Sequence, residues 1–258
     1  MINLSISDAW NQTMAFVARE AGLLMPVAFA FVGLPSVILG QFTPSMAPDQ
    51  TPEPGPWMLA IIPMVILSIA GGLTLNNLVL RRGISVGEAI RLALPRILPL
   101  VGAALLLMLA GMVASVPVLM LAAVLSGGNV AAGTGIALLL MVPLFILVGI
   151  RLMFMNPVAA MEGAGPLAIV SRSWELTRGQ FFKLFTMFVA FFVVLMVASI
   201  ALSSIFGIVV TVVIGSPSDE PIAKLILELV SAALSTVFSV YLSAMIAHLY
   251  AQVSAPRS

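Results

Sequence analysis

The chain has 258 residues, of which 61% are hydrophobic and only 8% charged, and its formal net charge is +1. Ordinary globular domains carry about a quarter charged residues, so this composition excludes a water-soluble globule. The absence of cysteine excludes disulfide frameworks and thiol-ligated metals, and apolar runs of the roughly 20 residues that cross a bilayer as helix leave no room for a soluble catalytic domain.

Asp8 and Glu20 fall where a signal peptide needs a basic and then an apolar region, so the first span is expected to be an uncleaved anchor. Residues 4–20 place Leu4, Trp10, Met14 and Val17 on one face and keep Asp8, Asn11, Gln12 and Arg19 mostly off it. This predicts an interfacial amphipathic helix. A first span follows at 21–40, with Pro26 and Pro35 inside it, tolerated because neighbouring helices can satisfy the carbonyls they free. Residues 41–56 are Pro-rich, carry Asp49 and Glu53 and no cation, and predict an extended loop. The second span, 57–80, ends at Arg81-Arg82. Ser85 and Glu88 then have the spacing of a capping box, opening a second interfacial helix that carries Arg91 and Arg96. Spans three (99–125, with Pro117) and four (136–157) flank a loop at 126–135. Spans five (182–214) and six (222–250) flank the short turn GSPSDEP. Both exceed what ~30 Å of hydrocarbon needs at about 1.5 Å per residue, so their ends protrude or the helices tilt.

Between spans four and five lies the most polar continuous segment, 165–183, bearing Arg172, Arg178 and Lys183, with Arg151 across the preceding turn. Pro166 suits the first turn of a helix and Gly179 its stop. Leu167, Val170 and Trp174 recur on one side, with Ser171, Arg172, Glu175 and Arg178 on the other. Indole and guanidinium on one short helix fit headgroup depth, so this is the third interfacial helix. Arg151 falls inside span four, where burial costs ~2.5–3.5 kcal/mol unless the side chain snorkels or pairs. Its expected partner is Glu162 or Glu175, which would tie span four to the surface helix; anionic lipid phosphate competes.

Topology follows from the cations. Arg19, Arg81, Arg82, Arg91, Arg96, Arg151, Arg172, Arg178, Lys183 and Arg257 fall on one side of this plan and only Lys224 on the other. That asymmetry predicts both termini and all three surface helices on the cytoplasmic side of the membrane. The chain also repeats. Ala9-Trp10 precedes Ala89-Ile90 by 80 residues, and at the same offset Pro63 matches Pro143, Ile66-Leu67 matches Ile146-Leu147, and Asn76 matches Asn156. Ser173-Trp174 marks a third unit. The expected fold is therefore an all-α integral membrane protein. One polytopic domain, 1–258, holds six spans as three units (about 4–82, 84–160 and 165–253) of interfacial helix plus two-span hairpin.

Small residues recur every fourth position in span five (Ser199, Ser203, Gly207, Thr211, Gly215) and in span six (Ser231, Ser235, Ser239, Ser243, Ala247, Ala251). Their reading is close hairpin packing rather than a polar pathway. Single His248 near the end of span six reads as interfacial and makes a poor metal site. Asn76, Asn77 and Asn156 at span ends read as helix-bonding amides, and Lys224 with Glu228 as a helical pair. Nothing resembles a nucleophile–base pair, a phosphate-cradling loop or a metalloprotease helix, so no catalytic residue, metal or cofactor is assigned. Basic clusters in such a chain read as topology signals and lipid contacts, not nucleic-acid sites.

The segment RLMFMNPVAAMEGAGPLAIVSRSWELTRGQFFKLF (151–185) resembles the bacterial glycerophosphoryl diester phosphodiesterase membrane domains and the related YciC-type inner-membrane proteins. The likeness is sharp over these residues and diffuse, by span pattern, elsewhere. By the family pattern Arg151, Glu162, Arg172, Trp174, Glu175, Thr177, Arg178 and Gly179 are motif positions. Some relatives join this domain to a soluble barrel that carries the catalytic groups; these 258 residues hold no such barrel, and the resemblance implies no phosphodiesterase activity. The expected function is non-enzymatic. Cytoplasmic-face helices would engage anionic phospholipid headgroups, a membrane-protein partner or a second copy, through Arg151, Glu162, Arg172, Trp174, Glu175, Arg178 and Lys183. The alternative is a transporter-like component with Pro63 and Pro143 bending spans around a cavity. An intramembrane lipid enzyme would need acid and base groups from Arg151, Glu162, Glu175 and His248.

Overall fold

A computed structural model describes residues 4–42, 55, 57–81, 83–217 and 220–254. Among these residues the chain is helical with no strand. The elements are α1 (Ile6–Ala28), α2 (Leu34–Phe42), α3 (Trp57–Leu80), α4 (Val86–Leu125), α5 (Val130–Arg151), α6 (Met155–Glu162), α7 (Pro166–Leu176), α8 (Phe181–Val213) and α9 (Pro221–Ser254). Six helical runs are long and apolar enough to cross a membrane. The expected Pro-rich loop lies almost wholly outside the described residues, as do Arg82 and Arg257.

Local chemistry sets the boundaries. Ser5 and Ser85 each stand in extended backbone and accept the N–H of the third helical residue, from Asp8 and Glu88 at 3.2 Å; Asn129 does the same for Ala132 at 3.0 Å. Between α1 and α2 the helix widens into a π turn, Phe29–Gly33. This turn sits directly before Pro35, whose ring would press on the carbonyl one turn back in a regular α-helix.

Two of the three expected surface helices are not separate elements. The 4–20 stretch runs without a break into the first span. The 85–98 stretch is the start of α4, a 40-residue helix that continues through Pro95, Pro99 and Pro117. A lone proline removes one hydrogen bond and kinks a helix; it does not end one when its neighbours remain good formers. Only α7 stands alone. Span four also differs from expectation: α5 stops at Arg151, Leu152–Phe154 make a tight turn, and α6 is a separate short helix.

The core lies toward one end of the bundle. Phe154, Ile150, Val158, Ile169, Leu184 and Leu249 are fully buried there, where α5 to α9 meet Leu73 of α3 and Leu100 of α4. A second cluster joins α1, α3 and α9 through Val17, Leu24, Leu75 and Val240. In the apolar windows of the first and second runs 33% and 28% of residues are buried, against 11% in the third and fourth. The outer parts of α4, α5 and α8 thus turn their side chains outward, where lipid is the compatible solvent. In α9 the buried stripe is Ala232, Thr236, Val240 and Ala244, while Ser231 and Ser235, like Ser203 and Thr211 of α8, are exposed. The rows expected to seal the hairpin are thus only partly inward: Ser199, Gly207, Ser239 and Ser243 are half-buried and Ala247 is fully buried. Thr236 satisfies its hydroxyl on the Ala232 carbonyl, 2.7 Å away.

Candidate functional site

The charged groups expected to act together gather where α5, α6, α7 and α9 converge. Pro166 occupies the first turn of α7 after the extended Gly165. Past the end of that helix Gly179 has φ +81°, a left-handed conformation that stops the helix and that glycine enters without steric cost. The buried face of α7 is Ile169, Ser173 and Thr177. Leu167 (73% exposed) and Trp174 (42%) look outward.

Ser173 and Thr177 face inward because they close the end of α5. Both hydroxyls donate to the Arg151 carbonyl, at 3.0 and 3.3 Å, one of the orphan acceptors that a helix C-terminus leaves. The Arg151 guanidinium lies over the Trp174 ring at 5.2 Å and within 5.8 Å of the Phe181 centroid, a cation–π arrangement. Its Nε and Nη1 are buried without a hydrogen-bond acceptor. The expected pairing of Arg151 with Glu162 or Glu175 is absent because Arg172 holds both carboxylates. Arg172 Nε donates to the two Glu162 oxygens at 3.2 Å and Nη1 to Glu175 at 3.4 Å. The hydrogen bond that Arg172 donates to Glu162 is the largest cause raising the Arg172 pKa above its ordinary value, so this cation stays charged at any physiological pH. Tyr250 of α9 also donates to Glu162, at 2.9 Å. Glu162 thus clasps α6, α7 and α9 together.

Of the remaining expected residues, Lys183 donates to the Leu4 carbonyl at 3.2 Å, and Arg178 is exposed. Neither joins the clasp. Nearby, Gln252 brackets Ser5, accepting its N–H at 3.0 Å and donating to its carbonyl at 3.2 Å. His248 is hydrogen-bonded to the Thr13 hydroxyl at 3.0 Å, with the Phe16 ring edge-on at 5.9 Å. At the opposite end Gln41 donates to Glu228, whose other oxygen lies 3.8 Å from Lys224. Ser173, Phe181 and Tyr250 are the site residues that sequence reasoning missed, and Thr177 entered it only as a motif position of the resemblance. The 169/173/177 spacing carried a signal for Ser173 and Thr177, whereas nothing local to Tyr250 announced its partner.

The clasp is partly exposed, so its ion pair contributes modestly. Glu162→Gln, which keeps an acceptor for Tyr250 but loses the ionic pair with Arg172, is expected to cost about 0.5–1 kcal/mol. A thermal-unfolding series in neutral detergent would read this as a midpoint lowered by about 1–4 °C, and an unchanged midpoint would remove Glu162 as the clasp. Among the described residues no three His, Asp or Glu side chains converge to hold a metal ion.

No curated protein and no solved structure matches the chain. One family model does, a domain of unknown function designated DUF7847, and it aligns with residues 4–253. That span takes in all six membrane-length helices and the whole clasp, and so the chain belongs to the DUF7847 family.

Proposed function

We propose that this is a non-enzymatic protein of a bacterial inner membrane that engages anionic phospholipid through its charged end, with both termini and that end cytoplasmic. The observation that carries the reading is the outer face of α7. Leu167 and Trp174 point outward beside exposed Arg178, while the opposite face is fixed to the core by Ser173 and Thr177. A helix pinned on one side, with indole, leucine and guanidinium on the other, suits insertion at headgroup depth. The positive-inside rule supplies the orientation.

Three equivalent units are part of the proposal. In support, Ser5 and Ser85 cap their helices identically at the 80-residue offset, and Ala9, Ala89 and Ser173 are all fully buried. In this reading the N-terminal parts of α1 and α4 are surface-helix counterparts of α7 that have fused with their spans. The resemblance of 151–185 to phosphodiesterase membrane domains fits a role beside lipid without implying turnover. Against catalysis, the carboxylates of the clasp are already engaged by Arg172 and Tyr250. Against transport, the cavity beside Pro63, about 460 Å³, is walled by apolar side chains with Thr74 as its only hydroxyl.

The test is lipid co-purification. Protein extracted from mixed-lipid nanodiscs is expected to retain phosphatidylglycerol over phosphatidylcholine, and the Arg172→Gln/Arg178→Gln variant to lose about half that enrichment. Equal retention of both lipids by the wild type would overturn the reading.

A further inference from the structure

A second cationic site lies apart from the clasp. Arg81, just past α3, and Glu88, Arg91, Leu92, Pro95 and Arg96 of α4, with Ala160 of α6 as floor, enclose a cavity of about 360 Å³, within the range of small-ligand pockets (about 300–1,000 Å³). Three guanidiniums against one carboxylate leave two positive charges in excess. None of the three arginines has a carboxylate within ion-pair distance among the described residues, and Arg81 Nε is buried without an acceptor. The Arg96 guanidinium lies flat against Gly163, which ends α6 at φ +65°; a Cβ there would fall 2.7 Å from the Arg96 Cζ. Glycine at 163 therefore both permits the left-handed turn and leaves room for the Arg96 guanidinium. A topology signal requires basic residues on this side of the membrane. It does not require three of them to share one cavity, where they repel unless an anion is present.

We propose that this pocket binds a phosphate monoester dianion, with Arg81, Arg91 and Arg96 donating to its oxygens as paired N–H forks. Leu98, 79% exposed two turns beyond Arg91 on α4, offers apolar surface to an acyl chain, so the membrane-borne form of that group is phosphatidic acid. The proposal rests on the reading of this end as facing an anionic leaflet, but assigns the recognition to different residues.

Native mass spectrometry of the delipidated full chain tests it, with phosphatidic acid, the diester phosphatidylglycerol and phosphatidylcholine as probes. Wild type is expected to hold phosphatidic acid roughly tenfold more tightly than phosphatidylglycerol. Arg91→Gln and Arg96→Gln should each weaken it about tenfold, as loss of one charged hydrogen-bonding group predicts, while Arg172→Gln/Arg178→Gln keeps it. Arg91 is exposed, so its variant has no packing reason to misfold, and an unchanged melting curve checks this. Competition by millimolar inorganic phosphate would support the pocket with a soluble phosphoryl group as a sufficient ligand; resistance to it would support the pocket with the lipid as the source. Wild-type binding by both Arg91→Gln and Arg96→Gln, or no preference for monoester over diester, overturns the proposal. Loss of all anionic-lipid binding in Arg172→Gln/Arg178→Gln alone overturns it too, while leaving the α7 reading standing.

Discussion

Gly71→Ala is expected to destabilise the protein by about 2–3 kcal/mol, whereas Gly72→Ala, one residue away, is expected to be neutral or slightly stabilising. In an exposed helix either change should help, because glycine is about 1 kcal/mol worse than alanine there. The surroundings reverse this at one site only. A Cβ on Gly71 would fall 2.5 Å from the Phe31 Cβ and 3.2 Å from its Cγ. These atoms are rooted in the π turn and cannot swing aside, so α3 must move off the first helix, an overpacking cost of this size. A Cβ on Gly72 meets only the Asn156 Nδ2 at 3.3 Å, the far end of a flexible amide. Thermal unfolding of the two variants in one detergent should differ by about 4–12 °C. Equal midpoints would mean that α3 and the π turn are not in this contact.

The second large effect is expected at the end of α5. Ser173→Ala with Thr177→Val removes both hydroxyls from the Arg151 carbonyl while nearly preserving shape. A buried acceptor left unsatisfied costs about 1–3 kcal/mol. The double variant should reach the upper part of that range and the singles sum to less than the double, since either donor alone still satisfies the one oxygen. Thr177→Val alone should be the milder, because its hydroxyl also lies 3.1 Å and 3.0 Å from the Ser173 and Trp174 carbonyls of its own helix. Hydrogen exchange distinguishes local from global loss. Amides of α7 should lose protection first, while those of α9 keep it. Uniform loss across the chain would show that the α5–α7 join is not a local latch.

Those two positions also show what the residues alone could and could not reveal. The six membrane-length helices were legible because length and apolarity are properties of a run and need no partner. Pro166, Gly179 and the Ser85–Glu88 cap were legible because they act on backbone within one turn. Which side of each helix is buried was not. In a soluble protein polar residues mark the outer face; here lipid and core both accept leucine, so the contrast that periodicity reads is gone. Hence the inward row of α9 is displaced by one residue from the serine row, and the inward face of α7 is Ile169–Ser173–Thr177. The charge pairing failed for a different reason. Arg151, Arg172, Glu162 and Glu175 permit several pairings within 25 residues, and the choice was made by the Leu152–Phe154 turn and by Tyr250, which arrives from α9, 88 residues away.

The pairing of α1 with α9 has a kinetic consequence. Thr13 finds its partners in Met245 and His248, Ser5 in Gln252, and Gly33 packs on Thr236. At translation rates of roughly 5–20 residues per second, the first helix must therefore wait on the order of 10–40 s in the membrane before the strand of sequence that covers it has been synthesised. During that interval its hydroxyls and amides face lipid or whatever protein shields them, so biogenesis is the stage at which this fold is most vulnerable, and assembly finishes only when the final helix slots beside the first.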